Sequence, residues 1–116
     1  MIRNGRPYTN ENGFVDDRLL TSCPESERLI VLDWIRNNIR PRKTPLRSRT
    51  SYGLKHILEN ATGIYLTNNA FKDAMMLSGY EPTDPNELNW HYCISKRSPA
   101  FDYRNRRKYG NRNRVR

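Results

Sequence analysis

Cysteine is scarce in this sequence. Cys23 and Cys93 are the only two, and a disulfide framework needs more than one distant pair. Long apolar runs are missing, so no segment has the length of a membrane-spanning helix. The opening residues, MIRNGRPYTNENG, lack the apolar core of a signal peptide. A cytoplasmic chain with reduced thiols and no membrane partner is therefore expected. Hydrophobic residues are sparse as well, at 35%, and the mean hydropathy is −0.97. A composition that poor in apolar residues predicts that part of the chain stays outside a packed core. Its 116 residues fit one domain. The apolar positions fall mainly between Phe14 and Ile94, which gives a core with little surplus stability.

Patterns that carry catalysis are also missing. No glycine loop suits a nucleotide, and the serines lack a base and an oxyanion arrangement. Asp16 and Asp17 read as a turn or cap. His56, His91, Cys23 and Cys93 have neither C-x-x-C nor H-x₃-H spacing, so they read as ordinary half-buried side chains rather than zinc ligands. Met75, Met76 and Trp34 read as core. No enzyme activity, metal or cofactor is expected.

What is present is positive charge. The net charge is +9, and it is unevenly spread. Residues 1–35 carry −2, residues 36–55 carry +7 with no acid, residues 56–95 carry −4, and residues 96–116 carry +8. The basicity therefore lives in one internal segment and one tail, beside a nearly neutral body. Two such runs point to a polyanionic partner, most often nucleic acid. A basic tail would also serve solubility alone, and the internal run would also serve as a solvated linker.

Along the chain, residues 1–21 read as a polar arm with Phe14, Val15, Leu19 and Leu20 as anchors. SCPESERLIVLDWIRNNIR, residues 22–40, is the clearest helix. Ser22 and Glu25 fit a capping box, Pro24 is tolerated in the first turn, and Pro41 stops the run. Leu29, Leu32, Ile35 or Arg36, and Ile39 follow helical spacing, with Ile30, Val31 and Trp34 widening the stripe. Residues 41–49, PRKTPLRSR, read as a basic loop. Thr50 or Ser51 caps a second helix over 51–60, with Leu54, Ile57 and Leu58 inward and Gly63 as a left-handed stop. Ile64–Leu66 is extended. Thr67, Asn68 or Asn69 caps a short third helix that buries Phe71, Ala74 and Met75 and ends at Gly79, with Tyr80 packed behind it. EPTDPNE is turn chemistry. NWHYCIS alternates, with Trp90, Tyr92 and Ile94 on one side and His91, Cys93 and Ser95 on the other. The expected fold is mainly α with a small β-hairpin. It is a winged helix-turn-helix over 22–95, between the arm and a disordered basic tail at 96–116. In that plan the third helix faces a major groove and the hairpin is the wing.

The run from Tyr65 to Ile94, with T-N-N-x-F-K-x-A-M, then Gly79-Tyr80 and an aromatic strand, resembles the small winged-helix domain at the end of phage and plasmid primase–helicases. The stretch from Arg40 to Ile94, with TSYGLKHILE and NWHYCIS, is similar to small proteins carried by phages and mobile elements of Gram-positive bacteria. The resemblance implies a non-catalytic binding module, since no primase or helicase catalytic part is present.

The candidate nucleic-acid contacts fall in three groups. The internal loop and the helix start behind it give Arg40, Arg42, Lys43, Arg47, Arg49, Thr50, Ser51 and Lys55, next to a helix N-terminus that attracts phosphate. The third helix gives Asn68, Asn69 and Lys72. The tail gives Arg104, Arg106, Arg107, Lys108, Arg112, Arg114 and Arg116, with Tyr103 and Tyr109 for base stacking. DNA ranks ahead of RNA as the partner. The acids Glu81, Asp84 and Glu87 would repel phosphate from a wing. They support an alternative, in which these three and His91 contact a protein and the exposed aromatic strand adds to the surface. A counter-defence inhibitor of the anti-CRISPR type, docked on a host nucleoprotein, is one such case.

Overall fold

The computed structural model describes residues 2–3, 6–7 and 20–102. A short antiparallel pair joins β1 (Ile2–Arg3) to β2 (Arg6–Pro7). A 3₁₀ turn, Leu20–Ser22, leads into α1 (Glu25–Asn38), followed by α2 (Ser51–Thr62) and α3 (Asn68–Leu77). A second 3₁₀ turn covers Pro99–Phe101. The body is mainly helical, and among the described residues no helix is long and apolar enough to cross a membrane.

The first helix departs from its expected form at both ends. Ser22 lies in the 3₁₀ turn, closed by the Cys23 N–H donating to the Leu20 carbonyl at 3.0 Å. It therefore cannot cap, and the helix opens at Glu25 behind Pro24 with no side-chain cap. At the other end Ile39 is already extended, ahead of Pro41. The buried stripe is Val31, Trp34, Ile35 and Asn38, not one that starts at Leu29. These four also have i, i+3, i+4, i+7 spacing. The bulky Trp34 goes inward, and Leu29 and Ile30 are turned out to solvent.

The other two helices are punctuated as their residues require. The Thr50 hydroxyl accepts from the Gly53 N–H, and the Thr67 hydroxyl accepts from the Ala70 N–H at 3.0 Å. Gly63 closes α2 at φ 77°. After α3, Gly79 at φ 92° allows a full Schellman closure: its N–H donates to the Met76 carbonyl and the Tyr80 N–H to the Met75 carbonyl.

Segment 90–95 is the hub of the core. On one side the Arg42, Leu46 and Ser51 N–H groups donate to the carbonyls of Cys93, Tyr92 and Trp90 at 3.0, 2.9 and 2.7 Å. On the other side Thr83 N–H donates to the His91 carbonyl at 3.0 Å. The alternation holds in burial: Trp90, Tyr92 and Ile94 are interior, while His91, Cys93 and Ser95 are half-buried. The pairing, however, is limited to isolated antiparallel bridges, Pro41 with Ile94 and Pro82 with Tyr92. Among the described residues, 80–95 forms no continuous hairpin of the kind expected for a wing.

Candidate nucleic-acid interface

The internal basic loop and the start of the basic tail meet through contacts that span 52 to 58 positions of sequence. The Ser95 N–H donates to the Arg40 carbonyl at 2.7 Å. The Arg40 N–H donates to the Ser98 hydroxyl at 2.9 Å. Further along, the Arg49 guanidinium lies over the Phe101 ring, 4.9 Å from its centre, an arrangement that uses the ring's negative face. Residues 40–51 and 95–102 thus form two adjoining loops that hold Arg40, Arg42, Lys43, Arg47, Arg49, Lys96 and Arg97 against a single acid, Asp102.

These cations do different jobs. Arg40, Lys43, Arg47, Lys96 and Arg97 are exposed. Arg42 folds back on its own loop, donating to the carbonyls of Thr44 at 2.8 Å and Pro45 at 2.6 Å. That staple holds a two-proline loop in one shape, so Arg42 positions its neighbours. Arg49 is half-buried against Phe101. Lys96 and Arg97 are exposed cations of this region that motif reading left out. Only the charge of their segment pointed to them, because nothing in the local sequence says that the chain returns to residue 40.

The third-helix candidates are elsewhere, and their expected role is corrected by their burial. Asn68, Asn69 and Lys72 are fully interior, and so are Ser51 and Lys55. The Ser51 hydroxyl donates to Asn68 Oδ1 at 3.0 Å and accepts from the Trp90 N–H at 3.0 Å. Asn68 Nδ2 donates to Asn89 Oδ1 at 2.9 Å. Lys72 Nζ donates to the Leu88 carbonyl at 2.6 Å and lies 4.7 Å from the centre of the Trp90 ring. Burial lowers the Lys72 pKa to about 8. Lys55 pairs with Glu59 at 3.2 Å, with the rings of Tyr52 and Tyr65 beside its nitrogen. These side chains hold α2, α3 and the 88–90 segment together and are not presented to a groove. Thr50 is occupied as the α2 cap. The tail candidates Arg104, Arg106, Arg107, Lys108, Arg112, Arg114 and Arg116 lie outside the described residues.

The expected protein-contact surface is also only partly presented. Glu81 and Asp84 are exposed, and Asp84 Oδ1 accepts from the Asn86 N–H at 3.0 Å within the turn. Glu87 is held 3.1 Å from His91 Nδ1. The aromatic strand is not a surface at all: Trp90 and Tyr92 are interior, and Trp90 Nε1 donates to the Pro85 carbonyl at 3.2 Å. Among the described residues no group of three or more His, Cys, Asp or Glu side chains converges on a metal-sized site. Cys23 and Cys93 are free thiols, and burial followed by Glu27 raises the pKa of Cys23. No protein-family model, curated protein or solved structure matches this chain, so nothing in those comparisons links it to phage proteins or primase–helicases.

Proposed function

We propose that this chain is a non-catalytic nucleic-acid-binding protein, with DNA as its first substrate, and that it binds through the two adjoining basic loops and the tail that follows them. The observation that carries this reading is the pairing of Arg40 with Ser95 and Ser98, which makes one cationic region from two separate basic runs. Arg40, Lys43, Arg47, Lys96 and Arg97 are the surface contacts, and Arg42 and Arg49 hold the loop in place. Contacts of this composition bind phosphate and position the chain without reading bases. The reading keeps from the winged-helix plan only the order of three helices followed by a turn and an extended segment. It gives α3 no base contact, because the polar side chains of that helix are spent inside.

The test is binding of the full chain to a labelled DNA duplex across salt, beside a K43S/R47S/K96S/R97S variant. Neutralising about six phosphates predicts a loss of about three decades in affinity between about 50 and 200 mM salt. Each exposed cation removed should flatten the log–log slope by about 0.9. A variant whose slope matches the parent would mean that the body contributes nothing and that the loops are only solvated. The reading would then be withdrawn.

A further inference from the structure

The way α1 is rotated leaves large apolar side chains with no partner in the core. Leu29 is 61% exposed and Ile30 49%, and Leu77 at the end of α3 is 56% exposed. These three are among the five large hydrophobic residues exposed in the described part of the chain, and all three line one groove of about 800 Å³. Tyr80 forms part of its wall, its hydroxyl donating to the Ile39 carbonyl at 3.2 Å. Arg36 and Arg40 stand along the same wall, past the apolar part of α1. A clustered apolar surface of this kind marks an interaction site rather than the scattered exposure of ordinary surfaces.

We infer that this groove receives an amphipathic helix from another protein, apolar along one face and acidic at the end that meets Arg40. Length and charge select that occupant. At 1.5 Å per residue the helical wall from Leu29 to Asn38 runs about 14 Å, with Arg40 just beyond its end, which accommodates an i, i+3 or i+4, i+7 anchor set. The charge at its end is positive and only partly used. Arg36 is paired with Asp33. The Arg40 guanidinium donates only to the Arg36 carbonyl, at 3.3 Å, with no carboxylate partner among the described residues. A second copy of the chain brings a net +9 to a rim that is already cationic, and the chain's own arginine-rich tail brings +8. Phosphate finds no counterpart on a leucine and isoleucine floor. An acidic, apolar helix satisfies both parts of the groove.

The experiment uses the full chain and a fluorescein-labelled peptide of about fifteen residues, with leucines at i, i+3 and i+7 and glutamates clustered at one end. A matched peptide carries lysines in place of the glutamates. Fluorescence anisotropy should show binding of the glutamate peptide, and amide shifts should centre on Leu29, Ile30, Leu77 and Arg40. An L29S/L77S variant should lose about tenfold or more in affinity with an unchanged unfolding midpoint and unchanged DNA binding. An R40E variant should weaken the glutamate peptide and strengthen the lysine peptide. The inference is overturned if the glutamate peptide does not bind, if the two peptides bind alike, or if L29S/L77S binds like the parent. It is also overturned if sedimentation shows a dimer that L29S/L77S dissociates, which makes the groove a self-interface, or if DNA alone gives the same shifts at Leu29 and Leu77.

Discussion

The Lys72 ammonium nitrogen lies 4.7 Å from the centre of the Trp90 ring, with both side chains closed off from solvent. Burial lowers the Lys72 pKa from 10.5 to about 8. Between those two values the unfolded chain holds a proton on this side chain that the folded chain has lost. Stability contributed here therefore rises with pH across that window, and the cost of burying the charge is at its fullest below about pH 8. A K72M variant has no such proton. The stability difference, parent minus K72M, should climb by up to about 1.4 kcal/mol per pH unit through the window. Urea melts of both proteins at several pH values measure it. A difference that stays flat with pH would show that Lys72 is not buried as a titrating group.

Ser51 carries two interior obligations with one hydroxyl. It donates to Asn68 Oδ1 and accepts from the Trp90 N–H. Ser51→Ala strands an amide oxygen and a backbone N–H inside the body. Each stranded group costs about 1–3 kcal/mol, so the variant should lose at least about 2 kcal/mol in chemical denaturation. A loss below about 0.5 kcal/mol would mean that neither partner is buried as described.

Features set by neighbours in sequence were legible before the structure, and those set by distant partners were not. The Thr67-Asn68-Asn69 run and Gly79-Tyr80 announced both ends of α3, because capping and left-handed closure are local chemistry, and the structure selects Thr67 as the cap. The alternation announced that Trp90, Tyr92 and Ile94 share one side, but not that this side is interior, since the same residues also fit an exposed aromatic strand. The burial of Asn68 and Lys72 was not legible. Their partners, Asn89 and Leu88, lie 21 and 16 positions away, and polar residues in a basic chain read first as surface. The turn of α1 was legible in part: Val31, Trp34, Ile35 and Ile39 are interior as their spacing suggested, but Leu29 and Ile30 face out, because stripes starting at Leu29 and at Val31 are of equal quality by spacing. Only packing of Trp34 selects between them. The meeting of Arg40 with Ser95 and Ser98, on which the candidate interface rests, has no local signal at all.

Tyr92 makes a contrasting case to Ser51. Its ring is interior, yet among the described residues its hydroxyl finds no hydrogen-bond partner. Burial accordingly drives its pKa far up. Removing the oxygen removes a desolvated polar group and breaks no bond. Tyr92→Phe should therefore leave stability unchanged or raise it by up to about 1–3 kcal/mol. Thermal melts decide this. A clear loss of stability would reveal a partner for the hydroxyl.

Two glycines should respond in opposite directions to the same substitution. Gly53 sits inside α2, and a Cβ built there meets no atom within 4 Å. Alanine keeps the N–H that bonds to Thr50, and it removes unfolded-state freedom. Gly53→Ala should stabilise by about 0.5–1 kcal/mol. At Gly79 the space for a Cβ is equally open, but φ is +92°. An alanine there bears left-handed strain of about 1–2 kcal/mol. The Schellman closure onto Met75 and Met76 does not let that φ relax without losing two bonds. Gly79→Ala should therefore destabilise by about that amount although it creates no clash. Since both sites are open, a difference in sign between the two variants isolates backbone conformation from packing. Equal effects would mean that the end of α3 is free to rearrange.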